Sequence, residues 1–125
     1  MTRERLLEAL EQWNRHDLEG VMRYFAQDCE YHASFGPTAL GASYVGRDQV
    51  REGVRSFFAA YPDGQFIDTE VTVDGDRGSA EWTFVSTNAD GERTSVRGCD
   101  LLEFEGPFVR RKNAFRKIVD DQPQE

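Results

Sequence analysis

The chain has 125 residues, of which 23 are acidic and 15 basic, so its formal net charge is −8 and its pI is near 4.8. This length predicts a single domain, and a hydrophobic fraction of 38% with 12% aromatic residues predicts a packed globular core. Nucleic-acid binding requires a basic surface that this composition does not supply, so we expect no nucleic-acid partner. We also expect a cytoplasmic protein without membrane contact, because the sequence shows neither a secretory signal nor an apolar stretch of membrane-spanning length.

The sequence motifs that indicate metals and cofactors are missing. The two cysteines, Cys29 and Cys99, lie far apart, and neither belongs to the Cys or Cys/His spacings that are typical of zinc sites. The sequence also has no Gly-rich phosphate loop and no nucleophile elbow. We therefore expect reduced cysteines, no metal and no cofactor.

The first half of the chain carries three helical patterns. Apolar residues recur at helical spacing over residues 2–15 and again over residues 18–27, where Asp17 is a good N-cap. A third helix is predicted over residues 49–60, with Asp48 as its cap.

The remaining elements are predicted to be strands. A short strand at residues 29–34 leads into a loop at residues 35–46, whose Gly, Pro and Ser content and length favour a functional role such as a lid. Gly98, in the middle of a long strand, predicts a bulge or a sharp bend. Four later strands are predicted at residues 66–73, 78–87, 92–104 and 108–118.

The order of elements is helix, helix, strand, helix and then four strands. Segregated helices and strands of this kind predict an α+β fold, in which the helices cover one face of a mainly antiparallel sheet.

Asp100 is the residue that most directly points to chemistry. It lies within a predicted strand, on the same alternating face as Leu102 and Phe104. A carboxylate on the apolar face of a strand requires a partner, a proton or a function. The predicted hairpin turn at residues 105–107 places Asp100 roughly opposite residues 111–113, so Lys112 could neutralise it. Asp100 is then either an acid or base in a pocket, or one half of a structural cross-strand ion pair.

Three stretches of sequence carry a resemblance to a known family. They are residues 13–20 continuing to 25–28, residues 46–50, and residues 98–100 with 112–117. In this order and spacing they resemble the nuclear transport factor 2-like superfamily, especially its SnoaL-like branch. The resemblance implies an α+β cone, in which a curved, mainly antiparallel sheet wraps around three helices and leaves a ligand cavity at the open end. It also implies one domain over residues 1–119 and a homodimer formed through the sheet, and we expect a disordered polar tail at residues 120–125.

The superfamily includes polyketide cyclases and ketosteroid isomerase, and a residue-by-residue comparison is informative. Aligned on Asp17 and Phe25, the general base of ketosteroid isomerase falls at Ala33 and its oxyanion-hole tyrosine falls near Ala9. Its other oxyanion donor, an aspartic acid, falls at Asp100. Because neither alanine can perform the isomerase's chemistry, the resemblance argues against ordinary ketosteroid isomerisation.

Further candidate residues surround Asp100 in this interpretation. We expect Tyr31 or His32 to assist catalysis, although strand alternation puts them on opposite faces, and a strand histidine facing the outer layer is the alternative for His32. Cys99 is expected on the outer face, next to a dimer partner. The predicted substrate-binding residues share an aromatic or polar side chain: Trp13, Tyr24, Phe57, Trp82, Lys112, Asn113 and Phe115. Plain core packing is the alternative for each aromatic one, and an outer polar strand position is the alternative for Asn113.

Together these features predict a cofactor-independent isomerase, cyclase or lyase that acts on a small hydrophobic carbonyl compound. The alternative is a non-catalytic small-molecule-binding or dimeric assembly module with the same fold. An open cavity of several hundred cubic ångströms would favour the enzyme, and a cone filled by side chains would favour the module.

Overall fold

The computed structural model describes residues 1–120. Residues 121–125, which belong to the tail predicted to be disordered, lie outside the described residues. Within them the chain forms three helices and six strands. In chain order these are α1 (Arg3–Asn14), α2 (Leu18–Met22), β1 (Phe25–His32), β2 (Ser43–Val45), α3 (Arg47–Ala60), β3 (Gln65–Asp74), β4 (Arg77–Thr87), β5 (Arg93–Glu105) and β6 (Phe108–Arg116).

All six strands belong to one mixed sheet with the order β2-β1-β6-β5-β4-β3. Strands β1 and β6 are parallel, and every other neighbouring pair is antiparallel. The predicted α+β class is confirmed, with a mainly antiparallel sheet that is open and curved. None of the helices within residues 1–120 has the length and apolar character needed to cross a membrane.

The core lies between the helices and the inner face of the sheet. Strand alternation in β4 buries Ala80, Trp82 and Phe84, as their spacing predicts. The helices contribute one apolar side each to the same cluster, through Leu6, Trp13, Val21, Val50 and Val54.

The second helix ends earlier than the prediction of residues 18–27. It stops at Met22, and Phe25 already pairs with Val109 of β6. The cause is a long-range contact, because the Val109 N–H donates to the carbonyl of Tyr24 at 2.7 Å. The side chain of Arg47 also donates to the carbonyls of Met22 and Phe25, which satisfies backbone groups that a continued helix would have used.

The predicted loop at residues 35–46 contains the short edge strand β2, and α3 begins two residues before its predicted start. Gly46, with a φ of 88°, occupies the N-cap position, and no side chain caps this end. Asp48 is therefore not the cap. It lies in the first turn, where its negative charge is favourable beside the free N–H groups of the helix.

The glycine within β5 has a packing role. Gly98 pairs with Trp82 in an unbroken register with β4, so the predicted bulge does not occur there. A side chain at this position would overlap the Trp82 ring and the backbone oxygen of Phe115. The glycine thus permits the close approach of a tryptophan that contacts the candidate site.

Candidate active site

Asp100 lies at the centre of the inner face of the sheet and is only 1% exposed. Its Oδ2 atom accepts two hydrogen bonds, one from Trp82 Nε1 at 3.0 Å and one from Lys112 Nζ at 2.7 Å. Because β5 lies between β4 and β6, each neighbouring strand supplies one of these donors. Both donors stabilise the ionised carboxylate.

The predicted pairing of Lys112 with Asp100 is confirmed, although the register differs from the prediction. The Cα partner of Asp100 is Ala114, and Lys112 stands opposite Leu102. A register shift between Glu103 and Phe104 accounts for the difference. Lys112 reaches Asp100 along the diagonal of the ladder, a distance that a long side chain can span.

The second carboxylate oxygen has no partner. Oδ1 of Asp100 is buried and makes no hydrogen bond to any described residue. Buried polar atoms are nearly always hydrogen-bonded, since an unmade bond costs roughly 1–3 kcal/mol and more for a charged group. Asp100 lines an internal cavity, but Oδ1 itself exposes almost no surface, so a hydrogen-bond donor reaches this oxygen only if the neighbouring side chains move.

Helix α1 closes over the ion pair. The Lys112 ammonium lies 4.6 Å from the centroid of the Trp13 ring, a cation–π distance. Lys112 is itself only 5% exposed. The two opposite charges are thus shielded from water together, so removing either one would leave the other buried without a counterion.

The cavity beside Asp100 is small and mostly aromatic. Its volume is about 40 Å³, well below the ~300–1,000 Å³ of ordinary ligand pockets. The several hundred cubic ångströms expected for an open pocket are therefore not found, because aromatic side chains fill most of the cone. The aromatic residues that line it are Trp13, Tyr31, Phe35, Phe57, Tyr61, Phe66, Trp82 and Phe84.

Tyr31 also lines this cavity. Burial raises the pKa of the phenol above its ordinary value, and the nearby Asp100 charge raises it further. Tyr31 therefore stays protonated and can donate a hydrogen bond. Its ring packs against Trp13 and Tyr44, with both centroid distances at 5.6 Å, which holds the side chain in place.

The structure brings together most, but not all, of the predicted site residues. Trp13, Phe57 and Trp82 line the cavity with Asp100, Tyr31 and Lys112. Tyr24 instead borders a separate cavity of about 20 Å³, and the Arg5 guanidinium covers its ring.

Asn113 and Phe115 were expected in the site, but neither lines the cavity. Strand alternation explains this correction, since Lys112, Ala114 and Arg116 occupy the inner positions of β6. Phe115 is 48% exposed and borders a groove on the outer face, together with Cys99, which lies on that face as predicted.

His32 also lies away from the cavity, as the alternative interpretation allowed. Its Nδ1 is 2.8 Å from the hydroxyl of Ser43, and its Nε2 is 2.9 Å from a carboxylate oxygen of Glu30. His32 and Ser43 are cross-strand partners between β1 and β2. The contact with Ser43 attaches the edge strand to the sheet, and the contact with Glu30 lies within β1, so His32 is not positioned to assist Asp100.

The cavity-lining residues that sequence reasoning missed include Tyr61, Phe66, Phe84 and Arg116. The signal for Arg116 was present, because residues four apart in a strand share a face and Lys112 had been assigned to the inner one. Within residues 1–120, no group of three or more His, Cys, Asp or Glu side chains is arranged to hold a metal ion.

Comparison with solved structures defines the class of fold. An NTF2-like protein of unknown function from Mesorhizobium loti has a TM-score of 0.73 and 26% identity, with 92% of this chain and 89% of that chain covered. A candidate polyketide cyclase from Xanthomonas campestris pv. campestris has a TM-score of 0.78 and 18% identity, with coverages of 90% and 87%. TerC, co-crystallised with polyporic acid, has a TM-score of 0.77 and 18% identity, with coverages of 91% and 89%. The fold is therefore of the nuclear transport factor 2-like type.

The family assignment is narrower. The sequence profile of the SnoaL-like domain matches residues 5–111, so the chain belongs to the SnoaL-like family. The predicted resemblance is confirmed. No curated protein matches the chain.

Proposed function

We propose that this protein binds a small hydrophobic carbonyl compound against Asp100 and acts on it as a cofactor-independent isomerase, cyclase or lyase. One observation carries the proposal: a buried carboxylate has one oxygen held by two donors, and its other oxygen is unpartnered. The aromatic walls supply the apolar contacts that such a ligand requires. Membership of the SnoaL-like family supports small-molecule binding, and the fold-level relative TerC was co-crystallised with polyporic acid.

The proposed chemistry is a proton transfer at the carbon next to the carbonyl group. Oδ1 of Asp100 takes the proton, the C–H electron pair moves into the enolate, and the carbonyl oxygen becomes negative. The protonated Tyr31 phenol donates a hydrogen bond to that oxygen. The same Asp100 oxygen then returns the proton to another position of the substrate. General acid–base catalysis of this kind contributes roughly 10²–10⁴-fold to a rate.

The position of Ala33 is consistent with a base at Asp100. Ala33 lines the cavity and carries no titratable group. Among the described residues that line this cavity, Asp100 is the one carboxylate, so we assign the role of general base to it.

A substrate larger than the cavity requires the entrance to move. Ser34 and Phe35, from the loop that follows β1, form part of the cavity wall. Phe35 is 70% exposed, so little packing holds its ring in place. We propose that displacement of this loop admits the substrate, which is the lid role expected from the sequence.

A second function, a non-catalytic binding or dimeric assembly module, is favoured by two observations. The cavity is small, and the outer face of the sheet has a groove of about 580 Å³ beside the exposed side chains of Leu101 and Phe115. Exposed apolar side chains around one concave surface are typical of an interface. We propose that a homodimer forms through this face, and it is compatible with either function.

Deuterium exchange at the α-carbon of β-tetralone, followed by proton NMR in D₂O, tests the catalytic proposal. We expect the wild-type protein to accelerate the exchange over buffer, and Asp100→Asn to reduce that acceleration by about 100-fold or more. Glu105→Gln is the matched control, because it removes an exposed carboxylate from the same strand and should leave the rate unchanged. Equal exchange in wild type and Asp100→Asn would contradict the proposal, and binding of β-tetralone without exchange would favour the module.

A further inference from the structure

A groove opens where the cavity meets the surface, between the loop after β1 and the residues that follow β6. It has a volume of about 260 Å³, and Phe35, Val96, Arg116, Lys117 and Ile118 border it. We call it the entrance groove. Phe35 and Arg116 also line the inner cavity, so the two spaces lie side by side and share these side chains as a wall. Because the groove is several times larger than the cavity, a ligand that reaches Asp100 would keep much of its surface in the groove.

Arg116 is held in a fixed position at this junction. Its guanidinium donates to the hydroxyl of Tyr61 at 3.1 Å, and its central carbon lies 5.2 Å from the centroid of the Phe84 ring. Aromatic side chains and a neutral hydroxyl therefore orient the guanidinium, and no carboxylate among residues 1–120 forms a salt bridge with it. A guanidinium has five N–H donors, and one suffices for Tyr61.

A preordered guanidinium with unused donors is suited to bind a carboxylate. The planar fork can donate two parallel hydrogen bonds to the two oxygens of one carboxylate group. Little conformational entropy remains to be lost on binding, because the contacts with Tyr61 and Phe84 have already ordered the side chain. Lys117 also borders the groove, but its ammonium is a point charge that cannot form such a paired contact.

The walls of the groove indicate the rest of the ligand. Phe35 and Ile118 border it and are 70% and 88% exposed, so both present apolar surface to an occupant. The inner end of the path carries the unpartnered Oδ1 of Asp100, which can only accept hydrogen bonds and so disfavours a carboxylate beside it. An acidic ligand would consequently bind with its acid group at Arg116 and its apolar end inside.

We propose that the ligand of this protein is an aromatic or unsaturated carboxylic acid that also carries the carbonyl group of the proposed reaction, and that its carboxylate pairs with Arg116 in the entrance groove. This inference rests on the proposed function, because it takes the cavity beside Asp100 as the place where the other end of the ligand binds. It adds the chemical class of the substrate and a residue that determines specificity.

Calorimetric titration with β-naphthoate and with its neutral isostere β-naphthamide tests the inference. We expect the wild-type protein to prefer β-naphthoate, and Arg116→Gln to weaken β-naphthoate binding about tenfold while changing β-naphthamide binding less than about twofold. Arg55→Gln removes the same charge from an exposed residue of α3 that borders neither the cavity nor the groove, and it should change either affinity by less than about twofold. Arg116→Lys keeps the charge but loses the fork, so its β-naphthoate affinity should fall between those of the wild type and Arg116→Gln.

Three results would overturn the inference: equal affinities of the wild type for both compounds, equal losses in Arg116→Gln and Arg55→Gln, or no binding of either compound. Thermal unfolding of each variant checks that the fold is retained, and Arg116→Lys provides the comparison if Arg116→Gln does not fold. The β-tetralone assay separates this inference from the proposed function. If exchange depends on Asp100 but the protein shows no preference for the carboxylate, the proposed function stands and the inference fails. If the protein prefers the carboxylate through Arg116 but exchange does not depend on Asp100, the carboxylate site stands and the proposed function fails.

Discussion

Replacing Lys112 with methionine should destabilise the protein strongly, because it removes one member of a buried ion pair. Lys112 and Asp100 are both almost fully buried, with 2.7 Å between Nζ and Oδ2. In Lys112→Met the carboxylate would keep only the Trp82 N–H, since its Oδ1 atom already lacks a donor. An uncompensated buried charge costs about 3–5 kcal/mol, so we expect the free energy of unfolding to fall by that amount.

Urea unfolding followed by tryptophan fluorescence measures this loss, and two further variants make the experiment decisive. The double variant Asp100→Leu/Lys112→Met removes both charges and should lie within about 1 kcal/mol of the wild type or exceed it in stability. Arg97→Met breaks the exposed pair with Glu81 and should cost about 0.2–1 kcal/mol. A loss of less than about 1 kcal/mol in Lys112→Met would refute the reasoning, because breaking the buried pair would then cost no more stability than breaking an exposed pair.

Three further predictions concern the cavity wall and the outer face. Gly98→Ala should destabilise the fold by about 1–3 kcal/mol and displace the indole N–H resonance of Trp82, since the new methyl group would overlap that ring; unchanged stability and resonance would contradict this. The raised pKa of Tyr31 means that the unfolded chain loses this proton first as pH rises. The free energy of unfolding should therefore fall above about pH 10, and urea titrations should show a shallower fall in Tyr31→Phe, whereas identical slopes would count against a buried phenol. Phe115→Asp should convert a wild-type homodimer into monomers in sedimentation velocity runs; a monomeric wild type, or a dimeric variant, would rule out an interface through this face.

Much of the fold could be predicted from the sequence because alternation is strong in the central strands. Ala80, Trp82 and Phe84 are inward on β4, and the same period places Asp100 inward on β5. The ion pair with Lys112 followed from the position of the hairpin turn, although the register shift after Glu103 moved the Cα partner. These features depend on local sequence patterns, which explains why they could be predicted without a structure.

Features that depend on contacts between distant parts of the chain could not be predicted from the sequence in this way. The end of α2 is determined by the parallel pairing of Phe25 with Val109, residues that lie far apart in the chain. The volume of the cavity depends on how rings such as Phe66 and Phe84 pack against one another, with centroids 4.8 Å apart. Composition predicts that aromatic residues surround a cone but not whether they fill it.

The errors in the candidate site have a simpler origin. Asn113 and Phe115 were selected for their polar and aromatic side chains, although alternation puts them on the other face of β6 from Lys112. The same rule would have selected Arg116. Consistent use of strand periodicity would thus have corrected the list of binding residues without a structure.

The central claim is that the unpartnered oxygen of Asp100 meets the ligand. The most direct test is the carbon NMR shift of the Asp100 carboxyl group during titration with β-naphthol, whose hydroxyl can donate to Oδ1, and with naphthalene, which has no donor. We predict a saturable shift with β-naphthol, a much smaller one with naphthalene, and no corresponding change at the exposed carboxyl group of Glu105. A carboxyl resonance of Asp100 that does not respond while β-naphthol binds, or that responds equally to naphthalene, would contradict the account.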